Sequence, residues 1–312
     1  MFRHGGLEHY QPIPIPNHRQ CTPGYLITDS DSWLGRRLNA TPRRGKVISA
    51  SATFSGPQYY NDCLGPLWFE SFAADLVKRL PEDAVGDVLE IACGTGTVTR
   101  RLRDRLEPSV RLVAIDLSKA MLDYARAKLA ACRDIEWREA DALKLPFDDK
   151  EFGAIVCGFG FMFVPDRQAA LKEARRVLTE AGMLLFNVWD RIEENPHALA
   201  NAKVLESMFP GDPEMRFRMP YDMGDPGLLH KLLAAAGFRA TRIETKRIAI
   251  AGADPRSIAI GQIRGTPRAT LIEQRGVRLE AVIDRVTEAL TVAGGDPYSG
   301  QAQAVIVQAM AI

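Results

Sequence analysis

One short stretch constrains the fold of this chain more than any other part. It is an apolar run that contains an acidic residue, followed by a turn of small residues that leads into a helical pattern. Val88–Ile91 predicts a buried strand, and the spacing of apolar residues predicts a helix over 97–106. Between them, Gly94 and Gly96 allow a tight turn with no side chain between the backbone and a ligand. A strand, a glycine turn and a helix N-terminus together predict a nucleotide-binding cradle.

Two classes of nucleotide site fit such a turn. The dinucleotide fingerprint G-x-G-x-x-G has a third glycine where this chain has Thr99, which argues against an NAD-dependent reductase. The pattern Glu-x-Ala-x-Gly-x-Gly that begins at Glu90 instead resembles motif I of class I methyltransferases, which use S-adenosylmethionine (SAM). The resemblance implies that Glu90 faces the methionine ammonium group and that the loop packs along the methionine and ribose. Cofactor contacts are therefore expected from Glu90, Ala92, Gly94, Gly96 and Thr97.

A second acidic residue stands at the end of the next predicted strand. In this predicted strand, over residues 111–115, an arginine is followed by four apolar residues. Asp116 comes next, 20 residues after Gly96. An acid at that spacing reaches the ribose hydroxyls of a bound nucleoside. The segment from Asp116 also resembles the ubiquinone-methyltransferase type of the family, which implies that Leu117 and Met121 flank the adenine.

A third acidic residue follows the third predicted strand, Ile135–Glu139. The resemblance implies that Asp141 bonds to the adenine amino group and that the backbone N–H of Ala142 meets the ring. The loop that begins Leu-Pro-Phe at Leu145 is typical of the same family.

The fourth predicted strand, over residues 153–157, ends in Cys157, and Phe159 follows it. We include both among the expected cofactor contacts. Tyr60 joins them, because class I methyltransferases carry a helix in this region that folds over the cofactor. A further helix is predicted over 67–80 and ends at Pro81.

No residue is singled out as catalytic, because SAM already carries an activated methyl group and orientation supplies much of the rate. A phenol acceptor would still benefit from a base. Candidates are Asp190 at the end of the fifth predicted strand, His197, Tyr60 and Tyr221. His197 follows a proline at a predicted helix start, where a solvated histidine is expected.

Strands that alternate with helices predict an α/β fold with a doubly wound, mostly parallel sheet. The resemblance implies a Rossmann-like sheet of seven strands, with the seventh antiparallel beside the fifth. We expect a disordered or loosely docked extension over 1–48 and the methyltransferase domain over 49–312. Within the domain, the core spans about 85–190, a helical cap insertion about 191–224, and the C-terminal part 225–312.

Composition excludes several classes. The 312 residues carry a formal net charge of +1, which gives no general attraction for polyanions. No apolar run approaches the roughly 18 residues of a membrane span, and no signal peptide opens the sequence. The five cysteines form no C-x-x-C pair, which fits a reduced cytoplasmic interior. No metal site is predicted, because the spacing of His4, His9, His18 and Cys21 matches no standard one.

The residues expected around the acceptor are apolar. Aromatic residues that suggest such a pocket are Phe159, Phe161, Phe163, Trp189, Phe209 and Phe217. Enzymes that methylate nucleic-acid amino groups carry Asn/Asp-Pro-Pro-Tyr/Phe after strand four, where this chain has Gly-Phe-Gly-Phe. We expect a small, largely apolar or aromatic acceptor, no nucleic-acid partner, and a monomer or homodimer. An RNA or protein methyltransferase and a non-catalytic SAM-binding protein remain the alternatives.

Overall fold

The computed structural model describes residues 56–81 and 86–312. The predicted extension over 1–48 lies outside these residues. The strands found here are β1 (Val88–Ile91), β2 (Leu112–Asp116), β3 (Ile135–Glu139), β4 (Phe152–Gly158), β5 (Leu178–Trp189), β6 (Phe238–Ala253) and β7 (Tyr298–Ala311). They form one sheet in the order β3-β2-β1-β4-β5-β7-β6, with β7 antiparallel to both of its neighbours. The predicted doubly wound α/β sheet with an antiparallel seventh strand is confirmed.

The first, second, fourth and fifth strands form the parallel centre of the sheet. Every residue of β1 is buried, as expected where helices cover both faces of a parallel sheet. The carboxyl ends of these strands meet at one edge. This edge carries the glycine loop after β1, Asp116 at the end of β2, and Trp189 at the end of β5.

The helices follow the predicted order along the chain. They are α1 (Pro57–Tyr59), α2 (Glu70–Lys78), α3 (Thr97–Arg105), α4 (Lys119–Lys128), α5 (Arg167–Val177), α6 (Pro196–Met208), α7 (Pro226–Ala235), α8 (Pro255–Arg264), α9 (Arg268–Gln274) and α10 (Leu279–Gly294). Ser118, Asp166 and Asp225 accept N–H groups from the first turns of α4, α5 and α7. These caps fix the helix starts where the sequence predicts them.

The helical region before β1 is longer than predicted. It begins at Pro57 rather than near residue 67, and its middle part, Tyr60–Phe69, is wound as a π-helix. Glu70 donates its N–H to the carbonyl of Gly65, five residues earlier. The apolar residues of this segment do not recur at the α-helical spacing, so a search for that period misses it. π-Helices are rare and occur often at functional sites.

A layer of helices packs beside this π-helix. α8 packs against it, and α10 packs against both α8 and α6. α6 belongs to the predicted cap over 191–224, but α8 and α10 come from the C-terminal part of the chain. The helical layer is therefore built from two separated segments. In the ranges that the structure describes, no helix has both the length and the apolar content to span a membrane.

Candidate functional site

The loop after β1 has left-handed backbone at three positions. The φ angles are +55° at Ala92, +55° at Gly94 and +78° at Gly96. A Cβ on Gly96 would lie 2.9 Å from Cδ1 of Leu129, so close packing on the segment after α4 also favours glycine there. A Cβ on Gly94 would meet no atom of the described chain within 4 Å. The backbone at Gly94 is therefore approachable by a ligand.

Asp116 joins the glycine loop to the start of α4. Its Oδ2 accepts the backbone N–H of Gly94 and its Oδ1 accepts that of Ser118, each over 2.8 Å. Burial raises the pKa of the Asp116 carboxyl, and these backbone donors oppose the rise. Each carboxylate oxygen can accept a further hydrogen bond. The carboxylate is thus fixed in place with acceptor capacity for hydroxyl groups such as those of ribose.

Glu90 lies beside Asp116 and is 1% exposed. Within the described residues, its Oε2 has no hydrogen-bond partner. Burial raises the pKa of Glu90 to about 8, and the nearby charge of Asp116 adds to the rise. A buried carboxyl beside a second carboxylate is stabilised when a cation approaches it. The end of β1 is therefore suited to a positively charged ligand group.

The residues predicted around the adenine lie at the neighbouring strand ends. Leu117 is 68% exposed, so its side chain is accessible to a ligand. Met121 is buried in the first turns of α4. Asp141 is exposed, and its Oδ1 accepts the N–H of Leu143 over 2.9 Å. Ala142, between those two residues, is half-buried.

Cys157 lies behind the loop in the core, with no exposed surface. Burial raises the pKa of its thiol to about 12, so the sulphur is protonated at neutral pH. A thiol in that state is not a nucleophile. Cys157 therefore packs against the site rather than reacting in it.

A group of stacked rings occupies the same sheet edge. Phe159 has a left-handed backbone, with φ of +57°, and lies 4.3 Å from Trp189 between ring centroids. Trp189 in turn stacks on Tyr221 at 6.0 Å. Tyr60 stacks on Phe69, whose ring is 5.4 Å from that of Phe159. Phe159, Trp189 and Tyr221 are at most 9% exposed, so the rings form a buried apolar cluster at the sheet edge that also carries Glu90 and Asp116.

Comparison with known proteins agrees with this geometry. Residues 88–182 match the family model of a methyltransferase domain. Demethylmenaquinone methyltransferase from Staphylococcus aureus (strain JH9) is 38% identical over 97 residues, which are 31% of this chain and 40% of that protein. The chain thus spans less than half the length of this curated relative.

Solved structures show the same fold. A putative methyltransferase from Bacillus halodurans C-125 superposes with a TM-score of 0.52 at 20% identity, over 77% of this chain and 98% of that one. The [4+2]-cyclase SpnF superposes with a TM-score of 0.51 at 16% identity, over 78% and 81%.

Residues 88–182 of the chain carry a methyltransferase domain. The methyl donor of this class is SAM, as the resemblance of motif I implied. When bound, SAM supplies a methyl group activated by a positively charged sulphur.

Two observations support a fit between SAM and the residues at the ends of β1 and β2. The unpartnered Oε2 of Glu90, buried beside Asp116, suits the ammonium group of the methionine part. The open approach to the backbone of Gly94 suits a ligand that lies along the loop. Asp116 would then accept the ribose hydroxyls. The individual contacts predicted for Tyr60, Thr97, Leu117, Asp141 and the other site residues stay predictions.

The candidate bases differ in their hydrogen bonds and in their burial. The carboxylate of Asp190 accepts the N–H of Arg191 and the amide of Gln303, both over 2.8 Å. Burial raises the pKa of Tyr60 and of Tyr221 above the ordinary tyrosine value. Both tyrosines are therefore neutral at physiological pH.

The expectation of a solvated His197 is wrong. Its ring is 1% exposed and stacks on Trp68 with centroids 4.4 Å apart. Nδ1 lies 3.3 Å from the carbonyl of Gln301, and burial lowers the pKa of the imidazole to about 4. The helix start is buried because β7, more than a hundred residues later, packs next to it.

One buried residue near these rings is not marked by any pattern in the sequence. Arg268, at the start of α9, is 3% exposed, and its guanidinium lies directly over the ring of Phe217. Tyr221 lies within electrostatic reach of the same guanidinium. The sequence around Arg268 matches no motif, and an arginine near a helix start ordinarily points into solvent. Only the fold reveals that it is enclosed.

Proposed function

We propose that this chain transfers a methyl group from SAM to a small, largely apolar or aromatic molecule. One observation carries the proposal: the carboxyl groups of Glu90 and Asp116 and the rings of Phe159, Trp189 and Tyr221 belong to one sheet edge, where the loops after β1 and β4 touch. A cation-binding end and an apolar end at one sheet edge suit a charged methyl donor and a flat acceptor.

The chain's own residues would act mainly by position. The carboxylates hold the donor, and the rings bind the acceptor and exclude water from the space between them. Holding two reactants in the right orientation can lower the activation free energy by roughly 7–11 kcal/mol. This mechanism requires no base among the described residues, which is consistent with the hydrogen bonds that occupy Asp190.

The Staphylococcus aureus relative is named for an acceptor with a ring system, demethylmenaquinone. That name supports a ring-containing acceptor here. The match covers 97 residues, 31% of this chain, so the acceptor must be found by experiment. The fold also occurs in a protein described as a [4+2]-cyclase, so turnover must be measured directly.

The test uses SAM labelled in its methyl group. The purified protein is incubated separately with a small-molecule extract, total RNA and total protein. We expect label in the small-molecule fraction. Label only in macromolecules, and lost on nuclease or protease treatment, favours the RNA or protein alternative. SAM binding by calorimetry without any incorporation favours a non-catalytic SAM-binding protein.

A further inference from the structure

Arg268 is a buried cation whose hydrogen bonds are incomplete. In the part of the chain that the structure describes, Nε and Nη2 of its guanidinium have no hydrogen-bond partner. Burial lowers the pKa of Arg268 well below its ordinary value. A buried charge is strongly destabilising unless an opposite charge or a set of hydrogen bonds compensates it. The face of Phe217 offers one favourable contact, but it does not supply oxygen acceptors for the three N–H groups of Nε and Nη2.

A series of rings connects Arg268 to the end of β5. Its guanidinium lies over the ring of Phe217, and the ring of Phe217 lies edge-on to that of Tyr221 at 6.3 Å. Tyr221 also stacks on Trp189, the ring at the end of β5. Arg268 therefore borders the aromatic, acceptor-binding end of the site.

Other polar atoms at this end are also unpartnered. The indole Nε1 of Trp68 and the Oε1 of Gln262 have no hydrogen-bond partner among the described residues. Trp68 lies edge-on to Trp189 at 6.4 Å, and Gln262 bonds to the carbonyl of His197 through its amide. The main-chain carbonyl of Gln262 accepts a hydrogen bond from the hydroxyl of Thr266, two residues before Arg268. Polar groups with spare capacity thus come from the π-helix, α8 and α9 to the same aromatic region.

We propose that the acceptor is a carboxylic acid with a flat apolar body, and that Arg268 binds its carboxylate. This inference rests on the proposed function and specifies its substrate class. A guanidinium presents parallel N–H groups that match a carboxylate, while the rings around Trp189 bind the apolar body. The acid group stays ionised on Arg268. Elsewhere on the acceptor, one atom gains the methyl group that the SAM sulphur loses, and its proton passes to solvent.

Calorimetry with matched pairs of probes tests this proposal. 2-Naphthoate and 2-naphthamide, and 4-hydroxycinnamate and its amide, are titrated into the protein saturated with S-adenosylhomocysteine. The wild-type protein should bind each acid roughly tenfold or more tightly than its amide, as expected for a charge-assisted pair. Arg268→Met should reduce that preference to about twofold or less, and Arg268→Lys should retain part of it. Arg285→Met is the matched control, because Arg285 is exposed on α10.

The affinity for S-adenosylhomocysteine separates the possible failures. It should be the same in Arg268→Met as in the wild type, which also shows that the variant folds. Equal wild-type affinity for acids and amides, or no binding of either acid, overturns the proposal and leaves the proposed function standing. Loss of S-adenosylhomocysteine binding in an Arg268→Met protein that keeps the wild-type circular-dichroism spectrum also overturns it and assigns Arg268 to the donor. A wild-type protein that binds no S-adenosylhomocysteine contradicts the proposed function itself.

Discussion

Gly160 faces Ala92 so closely that a Cβ on Gly160 would lie 2.5 Å from the Cβ of Ala92. It would also lie 2.6 Å from Sγ of Cys157. The loops that follow β1 and β4 therefore touch at the side chain of Ala92, where motif I usually has glycine. Alanine at this position therefore places a side chain on left-handed backbone and takes up part of the space beside Gly160.

Replacing Ala92 with glycine should stabilise the protein. The change relieves about 1–2 kcal/mol of left-handed strain, and the added freedom of glycine in the unfolded chain removes about 0.5–1 kcal/mol of that gain. Urea denaturation should show a free energy of unfolding for Ala92→Gly that is higher by up to about 1 kcal/mol. A lower value would show that the Cβ of Ala92 contributes packing that outweighs its strain.

Replacing Gly160 with alanine should destabilise the protein by roughly 1–3 kcal/mol, because the new methyl group overlaps two neighbours. The loss should be smaller when Ala92→Gly is also present, since one overlap is then removed. A double-mutant cycle measures this coupling. Gly65→Ala is a suitable control, because a Cβ there would meet no described atom within 4 Å. Additive effects of the two changes would contradict the contact.

Asp116→Ala should weaken SAM binding by about tenfold or more, because a charge-assisted hydrogen bond contributes roughly 1.5–3 kcal/mol. The change also leaves the N–H groups of Gly94 and Ser118 without their acceptor. Asp116→Asn keeps one acceptor oxygen and should lose less affinity. Calorimetry gives the affinities, circular dichroism checks the fold, and Asp104→Ala on the exposed face of α3 is the control. Unchanged affinity in a folded Asp116→Ala would remove Asp116 from the donor site.

Glu90 should make the stability of the unliganded protein depend on pH. Its folded-state pKa of about 8 lies above the ordinary value of 4.5, so the folded protein binds the proton more tightly. The resulting stability is complete below pH 4.5 and is lost as the pH rises to about 8. Between those values the slope should approach about 1.4 kcal/mol per pH unit.

The matching variant is Glu90→Gln, which keeps the shape of the side chain and cannot ionise. The wild-type free energy of unfolding should fall relative to that of Glu90→Gln as the pH rises from 5 to 8. Parallel pH curves for the two proteins would show that Glu90 has an ordinary pKa. Saturating SAM should flatten the wild-type curve, because a bound cation favours the ionised carboxyl.

His197 should change the pH dependence of stability in the opposite direction to Glu90. Its folded-state pKa of about 4 lies below the ordinary value of 6.5, so its contribution to stability is complete above pH 6.5 and is lost as the pH falls to about 4. His197→Phe keeps a ring stacked on Trp68 and cannot take up a proton. On acidification the wild type should lose stability relative to this variant. Equal curves would contradict the burial of the imidazole.

Local patterns in the chain were enough to predict those features that depend only on neighbouring residues. The strand Val88–Ile91, the turn at Gly94 and Gly96, and the caps at Ser118 and Asp166 are all where the local patterns place them. Apolar periodicity, glycine conformation and helix capping act within a few residues, so they can be recognised without the fold. The place of an antiparallel seventh strand beside the fifth followed from the family resemblance that these patterns support.

Whether a candidate side chain is buried, paired or exposed depends on contacts that form only in the folded protein. Asp190 is held by Gln303, and His197 is enclosed by Trp68 and Gln301, which are far from it in the chain. The partners of Arg268 are likewise distant in sequence, and no local motif marks it. Burial and pKa depend on contacts between segments that only folding brings together, which is why the sequence located the glycine loop and the fold revealed the buried guanidinium of Arg268.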